Sequence, residues 1–186
     1  MPDVKKWQID FLSTGGHKWM MWPAGLGFIY VSPRIFELVY PAQAGWMSLE
    51  VPFDFFNYQQ PFAPNAQRFE AGVFNTMGIM GAIPTIEMML EIGPQEIEQK
   101  VLRNTKYLMN ELKLRYIKLY TDTDENHLSG IVTFFHNQAE ALFEYLKKNQ
   151  ISVSLREGKI RVSPHFYNNT EDLNILLQTI DTFNRQ

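Results

Sequence analysis

The spacing of apolar and polar positions changes several times along the chain, and each change marks an element. Short apolar runs near residues 9–13 and 27–32 predict two strands. Between Ser32 and Phe74 no period holds, and abundant proline, glycine and aromatic residues predict irregular backbone. Asn75 to Ile92 is mainly apolar, with Met77, Met80, Ile83, Met88 and Leu90, and predicts a buried helix kinked or interrupted by Pro84. Its Gly78 and Gly81 allow close packing against another backbone.

A second block opens at Gly93-Pro94, with proline at a first-turn position and Glu96 and Glu98 at the positive end of a helix dipole. Ile97, Val101, Leu102, Leu108 and Leu112 recur at helical spacing and predict an amphipathic helix to about Arg115. A polar loop at 121–126, a strand at 131–135 and a helix at 138–149 follow. Further strands are expected at 151–155 and 159–162, and Thr170-Glu171-Asp172 opens a last helix. The pattern divides the chain into 1–92 and 93–186, the second an α+β layer with helices on one face of a small sheet.

Composition narrows the function classes. The 186 residues are 45% hydrophobic and 20% charged, enough for one sizeable core or two small ones. A net charge of -3 gives no electrostatic reason to expect nucleic acid or an anionic membrane as partner. No leader-like pattern opens the chain and no apolar run approaches the roughly 20 residues that cross a bilayer, so a cytoplasmic location is expected. With no cysteine, disulfides, thiolate metal sites and cysteine nucleophiles are excluded from this chain. His17, His127, His136 and His165 show no ligand spacing, so no metal site is expected. Gly25-Leu26-Gly27 lacks the length of a dinucleotide loop. The aromatic group Trp46, Phe53, Phe55, Phe56, Tyr58 and Phe62 reads as core or interface.

The candidate chemistry sits in Asp10-Phe11-Leu12-Ser13-Thr14-Gly15-Gly16-His17-Lys18-Trp19. Lys18 follows a short strand and two glycines, and is either a surface lysine at a strand end or a buried amine. Burial would lower its pKa and free the neutral form, which condenses with a carbonyl. This segment, with Pro23-Ala24-Gly25-Leu26-Gly27-Phe28-Ile29-Tyr30-Val31, resembles the cofactor-lysine segment of the class V aminotransferase family, which includes the cysteine desulfurases. Arg68-Phe69-Glu70-Ala71-Gly72 with Asn75-Thr76, and Ile160-Arg161-Val162-Ser163 with Phe166 to Thr170, resemble the same family in the same order.

The resemblance implies an α/β fold-type I enzyme that uses pyridoxal 5'-phosphate (PLP), acts on an amino acid and forms a homodimer through the aromatic stretch. It implies that Lys18 holds the cofactor as a Schiff base and moves the substrate's α-proton. His17 would donate to the cofactor phosphate, with Thr14, Asn75 and Thr76 as further polar candidates; helix capping accounts equally well for Asn75. Arg161 would grip the substrate carboxylate, while Arg156 lines the pocket or simply flanks the turn at Glu157-Gly158. Gly15 and Val73 stand where relatives carry phosphate-binding hydroxyls, which implies a differently built phosphate site. Only four residues separate Arg156 from Arg161, where desulfurases carry a cysteine-bearing loop, so a desulfurase using its own thiolate is excluded. The expected reaction is transamination, with epimerisation or lyase chemistry as alternatives. Family enzymes run to about twice this length, consistent with two domains of ordinary size, and the match starts just before the lysine. The chain is therefore expected to be only the C-terminal part of a fold-type I PLP-dependent transferase: the end of the large α/β domain (1–92) plus the small α+β domain (93–186). A piece unable to hold PLP alone is the non-enzyme alternative.

Overall fold

A computed structural model describes residues 3–186, and its completely enclosed apolar side chains all lie in one of two units, Ile92–Gln186. There β3 (Val132–Phe135), β5 (Lys159–Val162) and β4 (Ser154–Arg156) form an antiparallel sheet in that spatial order. Residues in a strand alternate between faces. Ile160 and Val162 are therefore buried with Val132 and Phe134, while Lys159 and Arg161 point to the other side.

Helices cover only the first face. α2 (Pro94–Leu114) starts with proline where no intrahelical donor is needed, and Gly93 before it takes the left-handed side of backbone space, φ +89°. It buries Ile97, Val101, Leu108, Met109 and Leu112, one stripe at a 3–4 residue spacing. α3 (Ala139–Lys148) adds Leu142 and Leu146, and α4 (Thr170–Phe183) adds Leu173, Leu176, Leu177 and Ile180. Half-buried Arg115 ties α2 to α4, donating to both carboxylate oxygens of Asp181 at 3.0 and 3.1 Å and to Glu111 Oε2 at 2.6 Å. Those carboxylates raise its pKa further, so it stays charged.

One strand starts later than expected. Ile151 N–H donates to Leu146 O at 2.9 Å, closing the end of α3 after a left-handed Gln150, so the chain is still leaving the helix there. Ile151 and Val153 pack beside the core without pairing, and the ladder begins at Ser154.

The other unit ends at Glu91. β1 (Phe11–Gly15) and β2 (Gly27–Val31) form an antiparallel ladder from Phe11↔Val31 to Gly15↔Gly27. The segment after β2 holds three 3-10 turns and is fastened by buried polar side chains, Ser48 and Arg68 among them. Ser48 Oγ donates to Glu70 O at 2.8 Å and accepts from Gly45 N–H at 3.1 Å. Arg68 is 6% exposed, donates Nε–H to Ala63 O at 2.9 Å, and lies 4.2 Å over the Phe36 ring.

α1 (Thr76–Ile92) runs through Pro84 uninterrupted. The expectation of a buried helix is corrected: only Gly78, Ala82 and Met89 are buried, while Met77, Met80 and Leu90 are exposed. The sequence is apolar around the whole helix, but its own unit covers one side. The aromatic group is likewise no core: Trp46, Phe53 and Phe55 touch one another, yet Phe56 is 90% exposed and Tyr58 88%. Among the described residues no helix is long and apolar enough to cross a membrane, and no His, Asp and Glu cluster could hold a metal ion.

Two outcomes follow for the C-terminal unit. Leu108→Ala, at a fully enclosed position, should lower unfolding stability by about 2–5 kcal/mol in a urea titration. Asp172 caps α4, and hydrogen bonds from the Asn168 amide and Asn169 N–H hold its carboxyl below the ordinary 3.8. A depressed pKa stabilises above the unfolded value, and that contribution disappears as pH falls through the folded value. Asp172→Ala should therefore melt lower than wild type at pH 7, with the gap closing as pH drops below about 3.8.

Candidate active site

Lys18 stands on a loop whose neck is closed by backbone. Gly16 N–H donates to Leu26 O at 2.9 Å, and Gly16 O accepts from Trp22 N–H at 3.0 Å. Inside that neck Met21 N–H reaches Lys18 O at 3.1 Å, a tight turn with Met21 at φ +56°. Gly16 is required at the neck because a Cβ there would stand 2.0 Å from the Trp22 ring. Trp22 in turn leans on Phe28 of β2, centroids 5.9 Å apart.

The lysine itself is exposed, not buried within this chain, and its amine makes no hydrogen bond or ion pair among the described residues. His17 is also exposed, its ring folded back over Gly15, close enough that a Cβ there would lie 3.3 Å from Nδ1. Thr14 is half-buried on β1, its hydroxyl donating to Gly15 O at 3.5 Å.

α1 braces the far side of this loop. Asn75 Oδ1 accepts from Gly78 N–H at 3.0 Å, capping the helix, and its Nδ2 donates to Gly25 O at 3.3 Å. Gly81 lies against Pro23, whose Cγ would be 2.5 Å from an added Cβ. Both polar atoms of Asn75 are thus engaged in holding helix and loop together. Thr76 is exposed, with its hydroxyl 3.4 Å from Phe74 O.

Arg161 and Arg156 belong to the C-terminal unit and share the helix-free face of its sheet. Register places Thr133, Arg161 and Ser154 in one cross-strand row, and Phe135, Lys159 and Arg156 in the next. Arg161 Nη2 donates to Ser154 Oγ at 3.4 Å, and its Nε–H is enclosed with no partner. A buried donor without an acceptor is costly, so the guanidinium is held with one N–H unsatisfied inside the unit. Arg156 is exposed beside a two-residue turn in which Glu157 and Gly158 both take positive φ, +48° and +70°. Sequence reading passed over Trp22, Ser154 and Lys159; for the last two the signal was available as a two-residue offset across a hairpin turn.

The arrangement offers an exposed primary amine on a braced loop in one unit and a half-buried arginine on the helix-free sheet face of the other. The chain belongs to the aminotransferase class-V family, whose model matches residues 1–176. It is similar to an uncharacterized aminotransferase of Bacillus subtilis, YcbU, 26% identical over 171 residues, which cover 92% of this chain and 45% of that one. It is also similar to a probable cysteine desulfurase of Pyrococcus abyssi, 28% identical over 203 residues, 96% and 48% of the two chains. Among solved structures, the apo form of a cysteine desulfurase from Thermococcus onnurineus matches with a TM-score of 0.85 at 26% identity, over 97% of this chain and 48% of that one.

The chain spans about half the length of these relatives. The expectation that it is only the C-terminal part of a family enzyme, with the match beginning just before the lysine, is corrected. The matches take in residues 1–176 and 97% of the chain, so the family's α/β fold-type I architecture extends over nearly its whole length.

Gly16→Ala should push the Trp22 ring out and open the loop neck. Limited trypsin digestion should then cut after Lys18 several-fold faster than in wild type, while cleavage in the C-terminal unit stays unchanged.

Proposed function

We propose that this chain acts in a PLP-dependent aminotransferase of the class V family, with Lys18 as the lysine that binds the cofactor. The observation that supports it most is the Lys18 amine, exposed on a loop fixed by Gly16, Trp22 and α1, with no competing partner among the described residues. That donor fits the aldehyde end of the group, since a primary amine must be free to condense with it. PLP, when bound, supplies an electron sink that weakens the bonds to the substrate's α-carbon.

The remaining work falls to this chain's side chains. Lys18 would also carry the proton to and from the substrate's α-carbon as a general base and acid. His17 and the hydroxyls of Thr14 and Thr76 hold the phosphate end, with Asn75 positioning the helix terminus beside them. Arg161 takes the substrate α-carboxylate, a task for which a planar fork is suited to bidentate pairing. Arg156 lines the same face. On this reading residues 1–92 belong to the large cofactor-binding domain and 93–186 form the small domain. The exposed aromatic segment from Trp46 to Tyr58 faces a second copy in a homodimer. With no cysteine in the chain, a thiolate-dependent desulfurase route has no nucleophile here.

The test is to mix the purified chain with PLP, desalt it, reduce it with borohydride and locate the added mass. A visible band that survives desalting, with the label on the Lys18 peptide and both lost in Lys18→Ala, is the expected result. A label spread over other lysines and indifferent to Lys18→Ala overturns the assignment. Amino-group transfer to a keto acid then separates transamination from epimerisation or lyase chemistry.

A further inference from the structure

Arg161 is not the only cation on the helix-free face. Lys159 lies two residues before it on β5, so both side chains leave the same side of the sheet, their roots about 6.7 Å apart. Arg156 stands directly opposite Lys159 on β4. The three strands read VTFF, SLR and KIRV and contribute no acidic residue.

Lys159 is also held in place. Its side chain is 16% exposed, and Nζ lies 4.9 Å from the centroid of Tyr120 and 5.8 Å from that of Phe135. Those rings pack edge to face at 5.6 Å, and Lys118 Nζ sits 5.3 Å from the Phe135 centroid. The carboxylate nearest to Lys159 comes from the turn: Glu157 Oε2 is 3.7 Å from Nζ, on a side chain 90% exposed. A solvated carboxylate at that distance contributes little to stability and is readily displaced, while Nζ also donates to the Glu157 backbone carbonyl at 3.1 Å, which fixes the ammonium at the turn.

We propose that this face selects an amino acid whose side chain ends in an anion, a dicarboxylic or phosphorylated amino acid. Arg161 takes the α-carboxylate, and Lys159, flanked by Arg156, takes the distal anion in place of Glu157. The inference rests on the reading of Arg161 as the carboxylate-binding residue and adds a specificity-determining role for Lys159. An extended five-carbon diacid has the reach to span two adjacent cross-strand rows, and a monocarboxylic acid of similar length leaves the second row empty.

The probes are glutarate and butyrate, titrated by calorimetry into the 186-residue chain at low ionic strength. Glutarate should bind about tenfold more tightly, the size of one charge-assisted hydrogen bond. Lys159→Gln should erase that preference while leaving butyrate affinity unchanged, Lys159→Arg should keep it, and Glu157→Gln should tighten glutarate alone. Equal affinities in wild type, or a preference that survives Lys159→Gln, overturn the proposal and leave the Arg161 reading standing provided Arg161→Gln weakens both probes. Binding indifferent to Arg161→Gln, or absent for both probes, defeats the Arg161 reading and this proposal with it. Circular dichroism of each variant separates lost binding from lost folding.

Discussion

The two-residue alternation of a single short strand governs the C-terminal unit. β5 is central in its sheet, paired on both sides, and its four residues divide evenly between opposite environments. Ile160 and Val162 close the core that α2, α3 and α4 cover, which removes their apolar surface from water. The same geometry sends Lys159 and Arg161 to the face no helix covers. Neither half is independent: a slip of one residue would bury two cations and expose two aliphatic side chains. The chemistry on the open face is therefore anchored by the hydrophobic effect acting on the other.

The unit that ends at Glu91 relies on a different device. Its long irregular segment lacks a ladder in which to pair backbone groups, and buried backbone polar groups need partners. Ser48 and Arg68 supply several, together with Gln67 Nε2 on Met47 O at 3.0 Å. Gly45 approaches Ala71 O so closely that a Cβ would stand 1.7 Å from it, which fixes where the segment folds back. The Lys18 loop is organised in the same spirit, with Gly16 against Trp22 and Gly81 against Pro23. Glycine here serves close approach as much as backbone freedom.

Much of the C-terminal unit was legible in the sequence because period reports burial wherever an element packs inside its own unit. The helical spacing of Ile97, Val101, Leu108 and Leu112 and the alternation at 159–162 correspond directly to buried stripes. α1 shows where that logic stops: Met77, Met80 and Leu90 are as apolar as core residues, yet a sequence does not say which neighbour covers them. β4 illustrates another limit, since Ile151 and Val153 have strand-like composition but the helix before them still claims the Ile151 N–H. The Lys18 loop and Arg161 were visible as motifs. Ser154 and Lys159 were legible only through register, which required the two-residue turn at Glu157-Gly158 to be read first.

That turn has a consequence for how such a site diversifies. Glu157 and Gly158 both occupy the left-handed region, in the shortest connection two antiparallel strands accept. An added residue that shifted β4 by one against β5 would set Leu155 opposite Arg161 and turn Ser154 and Arg156 to the covered face. Insertions or deletions at this hairpin are thus a more drastic route to new ligand preference than point substitutions in the strands, since a single indel replaces a whole row of neighbours at once.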